Sequence, residues 1–73
     1  MKHTFKVTFE QYVFNATVVH SERSYEWKID IPTTLSKDVQ DCIYMYLYDY
    51  DGDVTAKHIT ITMDDLHQYK EYL

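Results

Sequence analysis

Residues 36–50 read SKDVQDCIYMYLYDY, and the way this stretch coils decides the fold. Read as a helix, Ser36 is an N-cap whose hydroxyl accepts a first-turn backbone N–H, and Asp38 sits beside the positive end of the helix dipole. Val39, Ile43, Tyr46, Leu47 and Tyr50 then fall at i, i+4, i+7, i+8 and i+11, one continuous apolar stripe. Read as a strand, Ile43, Met45 and Leu47 line one face and Tyr44, Tyr46, Tyr48 and Tyr50 the other, with Asp51-Gly52 as a two-residue hairpin turn. The strand register places Ile59 and Ile61 with the tyrosines and turns His58 and Thr60 toward Ile43 and Met45, which is poor patterning. The helix is preferred because cap, early acid and stripe agree with one another.

Upstream of this stretch the pattern has the period of β structure. Phe5, Val7 and Phe9 alternate with polar residues, and after Gln11 the apolar parity shifts to Tyr12, Phe14, Ala16 and Val18. No Gly, Pro or Asp marks the shift, so one bent strand with a bulge and a hairpin explain residues 3–19 equally well. Tyr25, Trp27, Ile29 and Ile31 alternate with Glu26, Lys28 and Asp30 until Pro32 ends the run, and Trp27 is expected in the core. Replacing a core Trp by Ala costs roughly 3–5 kcal/mol.

Downstream, Ile59, Ile61 and Met63 are expected inward on another strand. Thr62 caps a last helix with Asp64 and Asp65 in its first turn and Leu66, Tyr69 and Leu73 along its buried edge. The expected fold is α+β in a single domain, 1–73. A small antiparallel sheet of three to four strands packs on one main helix (about 36–50) and a short C-terminal helix (about 63–73).

Composition limits the function classes. The 73 residues carry twelve acids and seven bases, a formal charge of −5, with one Cys, one Gly and one Pro. A single cysteine forms no internal disulfide, and 45% apolar residues support a packed core. No apolar run approaches membrane-spanning length, and Met1-Lys2-His3-Thr4-Phe5-Lys6 alternates in a way no signal peptide does. A reducing, cytoplasmic setting without membrane contact is the expectation. Residues 1–36 balance to zero, while residues 37–73 hold eight acids against Lys37, Lys57 and Lys70. The seven bases are spread along the chain and form no stripe for phosphates, which argues against direct nucleic-acid binding.

Candidate chemistry is sparse. Asp49-Tyr50-Asp51-Gly52-Asp53 matches the opening of an EF-hand calcium loop, but the sixth position is Val54 and the twelfth Thr60, where Gly and a bidentate Glu belong. Asn15-Ala16-Thr17 fits the glycosylation pattern inside an apparent strand. Cys42 lies on the apolar flank of the helix, close after Asp38 and Asp41, a charge setting that disfavours a thiolate nucleophile. His3, His20, His58 and His67 lack metal-ligand spacing, and a single glycine builds no phosphate-binding loop. No catalytic residue, metal site or cofactor is expected.

The helix leaves one conspicuous face. Opposite the stripe lie Asp38, Asp41, Tyr44, Met45, Tyr48 and Asp49, with Asp51 and Asp53 just beyond. Solvated helix faces carry Lys, Glu and Gln, whereas Tyr is enriched at interface hot spots and Met adapts to varied partners. Surrounding aspartates steer a basic partner. The expectation is a small acidic, non-catalytic protein-binding module. A specific version is an inhibitor that occupies a phosphate site on a basic, nucleic-acid-handling target. In size and charge alone the chain resembles small acidic proteins of phages and mobile elements, among them inhibitors of host defence nucleases. The alternative is a homo-oligomeric structural or assembly subunit, with the tyrosine face as a homodimer seam.

Overall fold

A computed structural model of the chain describes residues 1–50 and 56–72, with side chains to Tyr69. Four strands form one sheet in the order β3-β2-β1-β4, with β1 Lys2–Phe9, β2 Tyr12–His20, β3 Tyr25–Ile29 and β4 His58–Ile61. Helix α1 spans Lys37–Tyr48, α2 spans Met63–Leu66, and 3-10 turns over His67–Tyr72 finish the chain. The architecture is the expected small α+β fold.

Residues 3–19 form a hairpin. β1 and β2 pair antiparallel from Lys2↔Val19 to Phe9↔Tyr12, leaving Glu10 and Gln11 as a two-residue loop. Such loops need positive φ to match strand twist, and Glu10 supplies it at φ 51° without being glycine. The parity shift at Gln11 is therefore the hairpin turning its next apolar row onto the same face. β3 adds antiparallel to β2 through Val18↔Trp27, and it ends at Ile29 rather than running on to Pro32. β4 lies parallel to β1 through Val7↔Ile59, so the sheet is mixed rather than wholly antiparallel. The reason is topological: α1 carries the chain from β3 at one edge to β4 at the other, and the strand after such a crossover runs parallel to the strand before it.

The core lies between one sheet face and the helical layer. Phe5, Val7, Phe9, Phe14, Ala16 and Val18 meet Cys42, Ile43 and Leu47 of α1, with Ile59, Ile61, Leu66 and Tyr69 completing it. Ser36 caps α1 as the sequence implied, its Oγ accepting the Val39 N–H at 3.3 Å. Thr62 caps α2 in a reciprocal capping box with Asp65. Two expectations about burial are corrected. Met63 is 39% exposed, because the capping box ends β4 before it and turns it out as the first residue of α2. Trp27 is half-buried on the outer strand, stacked on Phe5 at 5.8 Å. Tyr25 is 67% exposed and stacks on His20 at 4.4 Å. The C-terminal helix is also shorter than 63–73, giving way to 3-10 turns kinked at Tyr69. Leu73 lies outside the described residues. No described helix is long and apolar enough to cross a membrane.

Candidate functional site

Helix α1 presents the face singled out in the sequence with unequal exposure along it. Asp38 is exposed, and Asp41 is half-buried and pairs with Lys37 at 3.7 Å, one turn earlier. Tyr44 and Tyr48, four residues apart and therefore stacked one above the other, lie with ring centroids 6.3 Å apart and planes 27° from parallel. Tyr48 is 57% exposed and Tyr44 half-buried. Met45 is half-buried and packs against the core, so it belongs partly to the inner side of the helix. The cause is the C-terminal segment. It lies against the flank of α1 that carries Cys42, Met45 and Asp49, and its Tyr69 hydroxyl reaches the Met45 carbonyl at 3.4 Å.

Asp49 closes α1 as its C-cap, with its N–H donating to the Met45 carbonyl at 3.0 Å. Its carboxylate accepts the Tyr69 hydroxyl at 2.8 Å. Tyr69 is buried, and that burial, followed by its hydrogen bond to the Asp49 carboxylate, pushes the phenol up to about 12. The phenol therefore acts at neutral pH as a fixed donor that holds the Asp49 carboxylate in place. Tyr69 carries a role that sequence reading assigned only to packing; the three-residue spacing from Leu66 gave its burial and nothing gave its hydroxyl a partner.

Asp51 and Asp53, and with them most of the calcium-loop match, lie outside the described residues. Among the described residues no three His, Cys, Asp or Glu side chains converge as metal ligands would. Cys42 is fully buried, and its thiol donates to the Tyr69 carbonyl at 3.7 Å. Burial first, then the carboxylates of Asp38 and Asp41, push this thiol above its ordinary value, the opposite of what a nucleophile needs.

The four histidines are spread over the fold. His3 sits at the sheet margin with Nε2 2.7 Å from the Ala56 carbonyl. His58 bonds Thr8 at 2.7 Å on the other face of the sheet, and His67 lies 3.8 Å from Asp64. The structure brings no histidine to Cys42 among these contacts.

No family model matches the chain, and neither a curated protein nor a solved structure shows significant similarity to it.

Proposed function

We propose that this chain is a small, non-catalytic protein-binding module that docks a basic protein surface through the outward side of α1. The observation that carries this reading is the stacked Tyr44–Tyr48 pair, held on a rigid helix between Asp41 and Asp49. Two phenols already in register lose little side-chain freedom on binding, and they supply apolar area with a polar rim. Asp41 stands one turn before Tyr44, and Asp38 and Asp49 add negative charge on the same helix, which favours lysine- and arginine-bearing partners and speeds their encounter. Asp51 and Asp53 follow in the chain and add to the same charge. Met45 contributes only its exposed part.

A target that normally handles nucleic acid is the specific form of this proposal. Carboxylates on successive turns of a helix present acceptors to side chains built to grip phosphates. The local cluster suits the plugging of one site better than the imitation of a whole duplex.

The test is affinity capture with the wild-type chain and with the Tyr44→Ala/Tyr48→Ala variant. The expected result is a specific protein retained by the wild type and lost with the variant, while the circular-dichroism spectrum and melting cooperativity of the variant are preserved. Retention should also weaken at about 0.5 M salt, where the Debye length falls to a few ångströms. Equal retention by both chains, or an unfolded variant, would overturn the proposal.

A further inference from the structure

Strand β3 is an outer strand of the sheet, and its hydrogen-bond parity is fixed by one contact. The Asp30 N–H donates to the Asn15 carbonyl at 2.9 Å, continuing the Ala16↔Ile29 register by one residue. Opposed residues that bond directly alternate along an antiparallel ladder with those that do not. Lys28 and Glu26 therefore bond to β2, while Tyr25, Trp27 and Ile29 aim their N–H and C=O groups away from the sheet. Among the described residues nothing accepts from or donates to that edge.

Soluble monomers guard such an edge with proline, a bulge, a short strand or charged side chains. β3 lacks the first two: Pro32 comes after it and its register with β2 is unbroken. Its two charged residues, Glu26 and Lys28, are of opposite sign and flank the central Trp27. The apolar side of the strand is also incompletely covered. Among the described residues every fully buried side chain comes from β1, β2, β4 or the helical layer, whereas Trp27 and Ile29 are half-buried and Tyr25 is exposed.

We propose that β3 pairs with β3 of a second copy of this chain, antiparallel about a two-fold axis at Trp27, joining two sheets into one. In that register Glu26 of each copy stands opposite Lys28 of the other, and Tyr25 stands opposite Ile29. Trp27 faces its own equivalent. The parity fits: the free N–H and C=O groups belong to Tyr25, Trp27 and Ile29, which form the bonded pairs, about six inter-copy bonds in all. Glu26 and Lys28 fall on the non-bonded pairs, where opposed side chains approach most closely. The strand is thus complementary to itself in backbone, charge and apolar surface. This association uses a surface separate from Tyr44 and Tyr48, so it stands or falls independently of the partner-binding reading.

The test is a charge-exchange series read by sedimentation velocity between about 10 µM and about 1 mM, the affinity range of small interfaces. The wild-type chain is expected to dimerise within that range. Glu26→Lys alone and Lys28→Glu alone each set like charges opposite one another twice per dimer and should weaken association about tenfold or more. An equimolar mixture of these two variants restores opposite charges on every pair and should recover a dimer of near wild-type affinity. The recovery distinguishes β3 pairing from a folding defect. A wild type that stays monomeric at about 1 mM, a dimer indifferent to both single changes, or a mixture that fails to reassociate would overturn the proposal.

Discussion

Replacing Tyr69 by Phe removes one hydroxyl and almost no volume, so it isolates the bond that ties the end of the chain to the end of α1. The bond is short, 2.8 Å to a carboxylate oxygen of Asp49. Hydrogen bonds to charged groups are worth about 1.5–3 kcal/mol when both partners are desolvated. Asp49 is exposed and regains water in the variant, and the Met45 carbonyl keeps the Asp49 N–H at 3.0 Å. The loss therefore falls below that range, about 1 kcal/mol, or roughly 4–8 °C in Tm for a domain of this size. The pH dependence gives a second, sharper signature. Unfolded, Tyr69 ionises near 10.0, whereas folded it holds its proton to about 12. Between those values the unfolded chain binds fewer protons, so stability is intact below pH 10 and falls as pH rises toward 12, by about 2–3 kcal/mol from this group. Phe has no proton to lose. Urea denaturation of both chains from pH 7 to pH 12 should show the wild type ahead at neutral pH and the variant overtaking it above pH 11. Cys42, also pushed up by burial, is common to both chains and cancels in the difference. Equal stability at pH 7, or a gap that stays constant to pH 12, would refute the reasoning.

Three further substitutions probe the fold at dilute, monomeric concentrations. Glu10→Gly relieves about 1–2 kcal/mol of left-handed backbone strain and adds about 0.5–1 kcal/mol of chain entropy to the unfolded state, so the melting temperature should rise by a few degrees. A fall would place the strain elsewhere. Thr62→Ala breaks the capping box and should cost about 1 kcal/mol in urea denaturation, because α2 must form for Leu66 to stay buried; an unchanged midpoint would contradict this. Trp27→Ala should cost about 2 kcal/mol rather than the 3–5 of a sealed core position, since the ring is only half-buried and keeps mainly its stack on Phe5. A loss above 4 kcal/mol would mean the ring is buried more completely than its outer strand allows.

Much of this fold was legible in local chemistry. Ser36, Asp38 and the stripe from Val39 to Leu47 agreed on a helix, and the helix formed between the cap and Tyr48. Thr62 with Asp65 announced α2 in the same way. What escaped depended on partners distant in sequence. The hairpin at Glu10 was masked because its positive φ is carried by a residue that gives no turn signal. The parallel entry of β4 follows from the path of α1 over the sheet, which no period within β4 records. Met45 was placed outward because a single stripe implies a single covered side. α1 packs on the sheet and also on the segment bearing Tyr69, so its covered arc is wider than the stripe. Tyr44 and Tyr48 lie one above the other as helical spacing assigned, whereas the Asp49 carboxylate is taken up by Tyr69. The fixed carboxylate of Asp49 needed the tertiary fold to become visible.

The distribution of charge over the two sides of the sheet bears on how a partner would approach. Among the described residues nothing covers the side away from the helices. Lys2 and Lys6 of β1 and Lys28 of β3 rise from it together with Glu26 and Asp30, beside Thr4, Thr17 and His58, as the strand register requires. The helical side carries Asp38, Asp41, Asp49, Asp64 and Asp65, with Lys37 already paired to Asp41. A net charge of −5 is therefore not a uniform coat. Acids predominate on the helical side, whereas on the uncovered face three lysines outnumber Glu26 and Asp30. Such a dipole turns the helical side toward a positive target before contact, across separations comparable with the Debye length of about 8 Å at physiological salt. The tyrosine pair then lies on the hemisphere that arrives first. Moving charge between hemispheres without touching the pair separates steering from docking. A Lys6→Glu change on the uncovered side weakens the dipole while making the chain more acidic overall, so a slower association with an unchanged dissociation rate would follow from orientation and not from net charge.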